Sequence, residues 1–249
     1  MKVNQRDLAW EGLLNVRDLG GHPTEDGGET PYGEVVRADS VRRLTDAGWA
    51  ALVDYGVKTI VDLRTDEELT ADPPAELPVQ VVHVPTLEED ADVFAQADKA
   101  SEAAPDNSMA TRDVYLIFLE RFKENFARAI AEVARAPEGG VVVHCAGGKD
   151  RTGLVTALLL RLAGVGIEEI AADYALSEER LRPRHEEWLA EAGTEAERQR
   201  IRRIAATPAE AMIHVLEELE RRYGSVGGYL RAGGLTDEDL ELARARLRE

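Results

Sequence analysis

Residues that could carry out chemistry on a phosphate group are concentrated in one short segment. Residues 144–153 read His144-Cys145-Ala146-Gly147-Gly148-Lys149-Asp150-Arg151-Thr152-Gly153. Five residues separate Cys145 from Arg151, so one tight loop can wrap an oxyanion with the nucleophile beneath it. The planar guanidinium of Arg151 suits two phosphate oxygens at once, and the thiolate is the reactive form of cysteine. The spacing therefore predicts a phosphate-binding loop that carries its own nucleophile.

The sequence on either side predicts that this loop joins a strand to a helix. Residues 141–143 are all valine, which is typical of a buried central strand. The apolar run 154–160 predicts a buried helix. A Gly-rich turn at a helix N-terminus directs backbone N–H groups at one point, and the helix dipole adds partial positive charge there. The same field would stabilise a thiolate at Cys145.

The residue types within the loop suit an anion. Gly147 and Gly148 permit close approach of the backbone. Lys149 adds positive charge, and Thr152 is placed to donate a hydrogen bond to the thiolate when it departs. The predicted phosphate-binding residues are Ala146, Gly147, Gly148, Lys149, Asp150, Arg151 and Thr152.

A nucleotide-binding P-loop is one alternative, because Gly148-Lys149 resembles the end of its motif. The match fails at two positions. Val143 stands where the first glycine should be, and Asp150 stands where a serine or threonine should ligate magnesium. The nucleotide-binding interpretation is therefore discarded.

Hydrolysis of a phosphate ester also needs a proton donor for the leaving oxygen, and three aspartates are candidates. Asp150 lies inside the loop, where a thiolate and a phosphate dianion would favour its protonated form. Asp62 ends a predicted strand beside the loop, and Asp90 follows another predicted strand. We rank them in the order Asp150, Asp62, Asp90. The predicted catalytic residues are thus Cys145, Arg151, Asp150 and Asp62.

Composition limits the kind of protein. At 249 residues, with 44% hydrophobic and 31% charged, the chain can bury a sizeable core, and a single domain over 1–249 is predicted. The net charge of −18 disfavours nucleic acid and anionic bilayers as partners.

The N-terminal residues lack an apolar leader, so a cytoplasmic location without membrane insertion is expected. With Cys145 as the only cysteine, neither an intramolecular disulfide nor a multi-cysteine metal site is expected.

Hydrophobic periodicity predicts an α/β fold, with a small sheet covered by helices and a helical C-terminal half. Strands are predicted at 35–36, 59–63, 79–84 and 141–143. Helices are predicted at 45–56, 112–136, 154–160, 167–176, 177–192, 194–204, 208–223 and 236–248. Residues 66–78 are expected to form a loop, and the acidic stretch 87–111 a lid or insertion.

The loop resembles the signature of the protein tyrosine phosphatase superfamily, which is His-Cys, five residues, Arg, and Ser or Thr. Its Gly-Lys-Asp-Arg-Thr-Gly ending looks like that of bacterial tyrosine phosphatases related to dual-specificity and phosphoinositide phosphatases. Other blocks of the chain are also similar to that family, and the stretch 87–111 matches least. These blocks are 15–21 (Asn-Val-Arg-Asp-Leu-Gly-Gly), 37–44, 61–64 (Val-Asp-Leu-Arg), 173–174 and 223–226.

The resemblance implies a phosphatase-like fold with a mostly parallel central sheet and a two-step hydrolysis that requires no metal or cofactor. Cys145 would form a phosphocysteine that water then cleaves, while Arg151 and the loop N–H groups stabilise the transition state. The substrate would be a phosphorylated protein or a phosphoinositide. Residues expected to support the loop without touching substrate are His144, Asn15, Arg17 and Asp18. His144 could instead cap the strand, and the other three could instead pin an N-terminal turn.

Two other functions share these features. A rhodanese-type sulfurtransferase also has a cysteine in a short cationic loop, but Thr152-Gly153 favours the phosphatase. An inactive relative that only binds phosphate would not need the nucleophile, arginine and hydroxyl that are all present. Arginines at 180–184 and 198–203 could bind phosphoinositide head groups. Neighbouring glutamates instead favour solvated helix faces there.

Overall fold

The computed structural model of the chain describes residues 6–72 and 79–248. Its strands are β1 (Arg17–Asp18), β2 (Val35–Ala38), β3 (Val57–Asp62), β4 (Gln80–His83) and β5 (Gly140–His144). Its helices are α1 (Asp46–Asp54), α2 (Asp66–Ala71), α3 (Ala91–Ala103), α4 (Asn107–Arg121), α5 (Lys123–Arg135), α6 (Asp150–Leu162), α7 (Ile167–Glu191), α8 (Glu195–Ala205), α9 (Ala209–Tyr223), α10 (Val226–Ala232) and α11 (Asp237–Arg246).

The strands pair in the order β1-β2-β5-β3-β4. β1 runs antiparallel to β2, and the other neighbours are parallel. Every residue of the central strand β5 is buried. Because side chains alternate along a strand, Val141 and Val143 join the main core under the helices, while Val142 joins a smaller core with Trp10 and Leu52 on the opposite face. The predicted α/β fold with a mostly parallel central sheet is confirmed.

The carboxyl ends of β2, β5 and β3 lie side by side at one edge of the sheet. His144 at the end of β5 is in register with Ala38 of β2 and Asp62 of β3. Since these strands are parallel, the residues that follow each of them gather at the same edge. The chain thus places Cys145 next to the start of the segments that follow β2 and β3.

The segment 66–78 was predicted to be a loop, but it begins with helix α2. The hydroxyl of Thr65 accepts a hydrogen bond from the N–H of Glu68, and the Glu68 carboxylate accepts one from the N–H of Thr65. This reciprocal capping box starts the helix. The loop prediction is wrong for residues 66–71. The prolines that indicated a loop lie downstream of these residues and do not prevent a helix there. Residues 73–78 lie outside the described part of the chain.

Other helix boundaries also differ from prediction. The predicted helix 112–136 is divided into α4 and α5 at Phe122, whose backbone (φ −119°, ψ 28°) is not helical. The two predicted helices 167–176 and 177–192 are one helix, α7, which continues through Pro183. Helix α10 was not predicted, and it begins where the Ser225 hydroxyl accepts the N–H of Gly228.

Residues 87–111, predicted as a lid or insertion, contain α3 and the first turn of α4. α3 packs against α4, with Phe94 and Phe118 in an edge-to-face contact at 5.6 Å between ring centroids. A lid role for this segment stays a prediction. None of the helices within 6–72 and 79–248 is long and apolar enough to cross a membrane.

Candidate active site

The predicted phosphate-binding loop leaves β5 at Cys145 and enters α6 at Asp150. Cys145 is only 2% exposed. Gly148 has φ of +63°, and a Cβ there would lie 2.3 Å from the carbonyl oxygen of Ala38, so glycine is required on both grounds. A Cβ on Gly147 would meet nothing closer than a Leu181 methyl at 4.0 Å. The fold therefore requires glycine at position 148, whereas position 147 has room for a Cβ atom.

Three consecutive carbonyl groups of the loop are held on its outer side. The Ser40 N–H donates to the Ala146 carbonyl at 3.1 Å. The Asn15 side-chain amide donates to the carbonyls of Gly147 at 3.1 Å and Gly148 at 3.0 Å. Arg37 also donates to the Gly148 carbonyl, at 2.9 Å. Because the C=O and N–H of a trans peptide bond point in opposite directions, these tethers direct the N–H groups of residues 147–149 away from the tethering side chains, as an anion cradle requires.

Asn15 and Arg37 are themselves positioned by a buried charge network centred on Asp173. Arg17 donates to Asn15 at 2.6 Å and to the Asp173 carboxylate at 2.8 Å. Arg37 donates to the other Asp173 oxygen at 2.7 Å. Burial alone would raise the pKa of Asp173, but the charges of Arg17 and Arg37 outweigh it and hold this pKa far below its ordinary value. One carboxylate is thus the shared counter-ion of the two arginines that keep the loop in shape.

Arg151 is held by a carboxylate from α2. Its two terminal nitrogens donate to the two Glu68 oxygens, one of them at 2.8 Å. Burial opposes ionisation of Glu68, but the hydrogen bonds and charge of Arg151 outweigh it and lower the pKa of Glu68 to about 2. Burial likewise opposes the charge of Arg151, yet hydrogen bonding to Glu68 and the charge of Cys145 raise its pKa above the ordinary value. The guanidinium is therefore permanently charged and fixed in orientation.

Asp62 and His144 lie behind the loop. Arg64 donates to both Asp62 oxygens, at 3.1 Å from its Nε and 2.8 Å from its Nη2. Burial alone would raise the pKa of Asp62, but its interactions with His144 and Arg64 outweigh it and hold the pKa below its ordinary value. The His144 Nδ1 lies 3.1 Å from the Cys145 carbonyl, and burial lowers the pKa of this imidazole. Asp62 is thus the ion-pair partner of Arg64, and His144 is a buried imidazole whose Nε2 lies 3.6 Å from Asp62 Oδ2.

Asp150 occupies the first turn of α6 and is half exposed. Its Oδ1 accepts a hydrogen bond from the Tyr115 hydroxyl at 2.5 Å, and this hydroxyl also contacts that of Tyr174 at 2.8 Å. Burial, together with the charge of Asp150, raises the pKa of Tyr115 well above its ordinary value, so Tyr115 stays a donor. None of the hydrogen bonds or ion pairs found in the described residues engages Asp150 Oδ2. That oxygen is available to a bound molecule.

Two adjoining cavities open over the loop. The first, of about 300 Å³, is lined by charged residues that include Arg151 and Glu68 and by aromatic and aliphatic residues, namely Leu87, Phe94, Tyr115, Phe118 and Leu154. The second, of about 550 Å³, extends toward α8 and shares Tyr115, Phe118 and Asp150 with the first. An anion held by Arg151 would therefore carry its organic group against an aromatic wall.

Comparison with known proteins assigns the chain to a family. A model described as the tyrosine phosphatase family matches residues 8–249. The chain belongs to the tyrosine phosphatase family. It is 30% identical to a tyrosine-protein phosphatase of Nostoc commune, over 87% of this chain and 75% of that protein. It is 29% identical to the triple specificity protein phosphatase PtpB of Mycobacterium tuberculosis, over 99% of each chain. The predicted family and enzyme class, a phosphoric monoester hydrolase, are confirmed.

Lys149 of this phosphatase does not direct its charge into the loop. Its ammonium donates to the carbonyl of Ile204, reaches that of Ala206 at 3.4 Å, and lies 3.4 Å from Asp150 Oδ1. These carbonyls belong to the C-terminal end of α8, where a cation is electrostatically favoured. Lys149 thus ties α8 to the loop in this structure, and its role in phosphate binding stays a prediction.

The remaining predicted residues divide into those near the loop and those away from it. Thr152 is fully buried, and its hydroxyl has no hydrogen-bond partner among the described residues. Asp18 does not support the loop. Its carboxylate accepts hydrogen bonds from the N–H groups of Gly20 and Gly33 and from the Tyr55 hydroxyl, which pins the N-terminal turn. Asp90 caps α3, accepting from the N–H groups of residues 92 and 93.

Sequence reasoning missed several residues of the site. Glu68 lies in a segment predicted to be a loop, although the spacing Thr65-x-x-Glu68 is a capping-box signal that indicates a helix start there. No sequence motif marks Tyr115 as a site residue, because the apolar pattern of its helix indicates only burial. Asp173 lay in a block that resembles the family, but nothing in the sequence indicated that it pairs with Arg17 and Arg37.

Glu68→Gln is expected to lower kcat for p-nitrophenyl phosphate about tenfold, because a neutral amide cannot hold both nitrogens of Arg151 and the guanidinium loses its fixed orientation. The measurement is steady-state kinetics at pH 6 to 7. Glu67→Gln is the matched control, since Glu67 is exposed on the same helix turn. Equal kcat values in the Glu68 variant and the control would contradict a positioning role for Glu68.

Proposed function

We propose that this tyrosine phosphatase hydrolyses aryl phosphates such as phosphotyrosine through a phosphocysteine on Cys145. The observation that carries the proposal is the loop itself, whose carbonyls are tied outward and whose Arg151 faces a pocket with an aromatic wall. In the first step the Cys145 thiolate forms an S–P bond as the ester P–O bond breaks. Arg151 and the loop N–H groups stabilise the charge that develops on the equatorial oxygens.

In the second step water attacks the phosphocysteine, and the S–P bond breaks to release phosphate and the thiolate. We assign the Thr152 hydroxyl, which is buried and has no partner among the described residues, to donate a hydrogen bond to that departing sulfur. The proposal needs Cys145 as a free thiol. A reducing compartment, such as the cytoplasm predicted above, would protect it from oxidation.

Among the three candidate aspartates, Asp150 is the proposed proton donor and acceptor. It lines the pocket beside Arg151, and Tyr115 fixes one of its oxygens while leaving the other open. Asp62 is bound on both oxygens by Arg64, and its lowered pKa favours the carboxylate. The carboxylate of Asp90 is used to cap α3. Asp150 would protonate the leaving oxygen and then accept a proton from the attacking water.

The substrate range is proposed to favour phosphotyrosine over phosphoserine, because the pocket offers Phe94, Tyr115 and Phe118 as stacking surface for an aromatic ring. The name of the mycobacterial relative, a triple specificity phosphatase, makes a panel of substrates the direct test. We expect kcat/KM to be highest for a phosphotyrosine peptide, compared with the same peptide carrying phosphoserine and with a soluble phosphoinositide. A higher value for phosphoserine would contradict the aryl preference. Formation of thiocyanate from thiosulfate without phosphate release would contradict phosphatase chemistry.

Asp150→Asn is expected to slow alkyl phosphates about 10²- to 10³-fold but p-nitrophenyl phosphate much less, because a poor leaving group depends on protonation and a good one does not. The measurement is kcat for both substrates across pH 5 to 8. Asp90→Asn serves as the control and should leave both rates within about twofold. Equal slowing of alkyl and aryl substrates would contradict the proposal that Asp150 protonates the leaving oxygen.

A further inference from the structure

Two arginines of α8, Arg200 and Arg203, line the second cavity described above. This cleft of about 550 Å³ runs from Asp150 to α8, and its opposite wall on α3 carries Asp98 and Glu102. The cleft shares Tyr115, Phe118 and Asp150 with the catalytic pocket, so the two cavities adjoin. A substrate bound at Arg151 can therefore extend past Arg200 and Arg203.

Within the described part of the chain, no carboxylate pairs with either of these two arginines. Other arginines of the same helix have partners, since Arg202 lies 2.8 Å and Arg198 3.9 Å from carboxylate oxygens of Glu195. Within residues 6–72 and 79–248, the side chains of Arg200 and Arg203 make no hydrogen bond or ion pair, and both are exposed. The nearby ammonium of Lys149 is occupied by backbone carbonyls and Asp150. Two guanidinium groups are thus open to an anion at the end of the groove.

We propose that Arg200 and Arg203 bind an acidic side chain of a phosphopeptide substrate and so favour phosphorylation sites flanked by aspartate or glutamate. The inference rests on the proposed function, because it places the phosphorylated residue at Arg151. Successive residues of an extended peptide advance by about 3.4 Å. An acidic residue a few positions from the phosphotyrosine can therefore reach α8 while the phosphate stays in the loop.

The surroundings favour a peptide over a lipid surface. Asp98 and Glu102 of α3 also line the cleft and would repel a polyanionic head group. The chain as a whole carries a net charge of −18, which opposes approach to an anionic bilayer. A peptide carries its carboxylate on one side chain, which can turn toward α8 and away from the acidic wall.

The test compares two phosphotyrosine peptides that differ only by glutamate or glutamine at flanking positions, with p-nitrophenyl phosphate as a substrate that cannot reach α8. For the wild-type enzyme we expect kcat/KM to be about three- to tenfold higher for the glutamate peptide, falling with added salt. In Arg200→Ala/Arg203→Ala the two peptides should become equal, with p-nitrophenyl phosphate turnover unchanged. Arg202→Ala, on the same helix but paired with Glu195, is the matched control and should retain the preference.

A charge-reversed variant, Arg200→Glu/Arg203→Glu, should prefer a peptide with lysine at the same positions, which a simple disturbance of α8 would not produce. If the double alanine variant keeps the glutamate preference, the proposed subsite is wrong. If that variant loses activity only on phosphoinositide in vesicles and not on acidic peptides, the arginines serve a lipid head group and the peptide proposal is overturned. Absence of p-nitrophenyl phosphate turnover in the wild-type enzyme would instead overturn the proposed function, and with it this inference.

Discussion

Cys145→Ser is expected to reduce the hydrolysis of p-nitrophenyl phosphate by at least about 10⁴-fold. A serine hydroxyl is not ionised at neutral pH, so it would need a general base to attack phosphorus. The nearest histidine in sequence, His144, does not supply one, since it is fully buried with its Nδ1 against the Cys145 carbonyl. The measurement is initial-rate kinetics with enough variant enzyme to detect one part in 10⁵.

The fold and the anion cradle should survive this substitution. The tethers from Ser40, Asn15 and Arg37 do not involve the sulfur atom, and serine fits the space that cysteine leaves. The variant should therefore bind inorganic phosphate with an affinity within about tenfold of the wild type, measured by calorimetry, and unfold at a similar temperature. Retention of more than a tenth of the wild-type activity would show that Cys145 is not the nucleophile.

Asp173→Asn is expected to lower the free energy of unfolding by about 3–5 kcal/mol at pH 7, because it leaves the buried charges of Arg17 and Arg37 without a counter-ion. Both guanidinium groups are essentially inaccessible to water and donate directly to this carboxylate, at 2.8 and 2.7 Å. Since the same arginines hold Asn15 and the Gly148 carbonyl, kcat/KM should fall as well. Urea unfolding followed by circular dichroism measures the first effect.

The matched control for this substitution is Asp237→Asn, whose partner Arg231 lies 2.7 Å away on the surface. That exposed pair should contribute less than about 1 kcal/mol.

The contribution of Asp173 to the free energy of unfolding also depends on pH in a defined direction. Because its pKa is depressed in the folded state, its stabilising contribution is present above the unfolded pKa near 4 and is lost as pH falls below that value. A variant as stable as the wild-type protein at pH 7 would contradict the role of Asp173.

The position of the loop between a buried strand and a helix was predictable because its signals lie in adjacent residues. The valines before Cys145 indicate the strand, and the interval between Cys145 and Arg151 carries the predicted nucleophile and cation. Asn15 was predicted to support the loop, and its side chain does contact two loop carbonyls. In the fold, the all-valine run correctly indicated the central strand.

What escaped prediction depends on contacts between distant parts of the chain. The Lys149 ammonium reaches carbonyls more than fifty residues away on α8, and no local pattern distinguishes that target from a phosphate. The break at Phe122 was hidden because α4 and α5 both bury residues in the same core, so the apolar periodicity continues across the break. Asp18 looked like part of the Asn15–Arg17 group, but strand pairing turns its side chain toward Gly20 and Gly33 instead.

The most direct test of the account is to trap the covalent intermediate. We expect that acid quenching of the wild-type enzyme within milliseconds of mixing with p-nitrophenyl phosphate leaves one phosphoryl group per chain. Peptide mass spectrometry should place it on Cys145, and it should be absent from Cys145→Ser. A phosphoryl group on any other residue, or full turnover without a covalent intermediate on Cys145, would contradict the proposed mechanism.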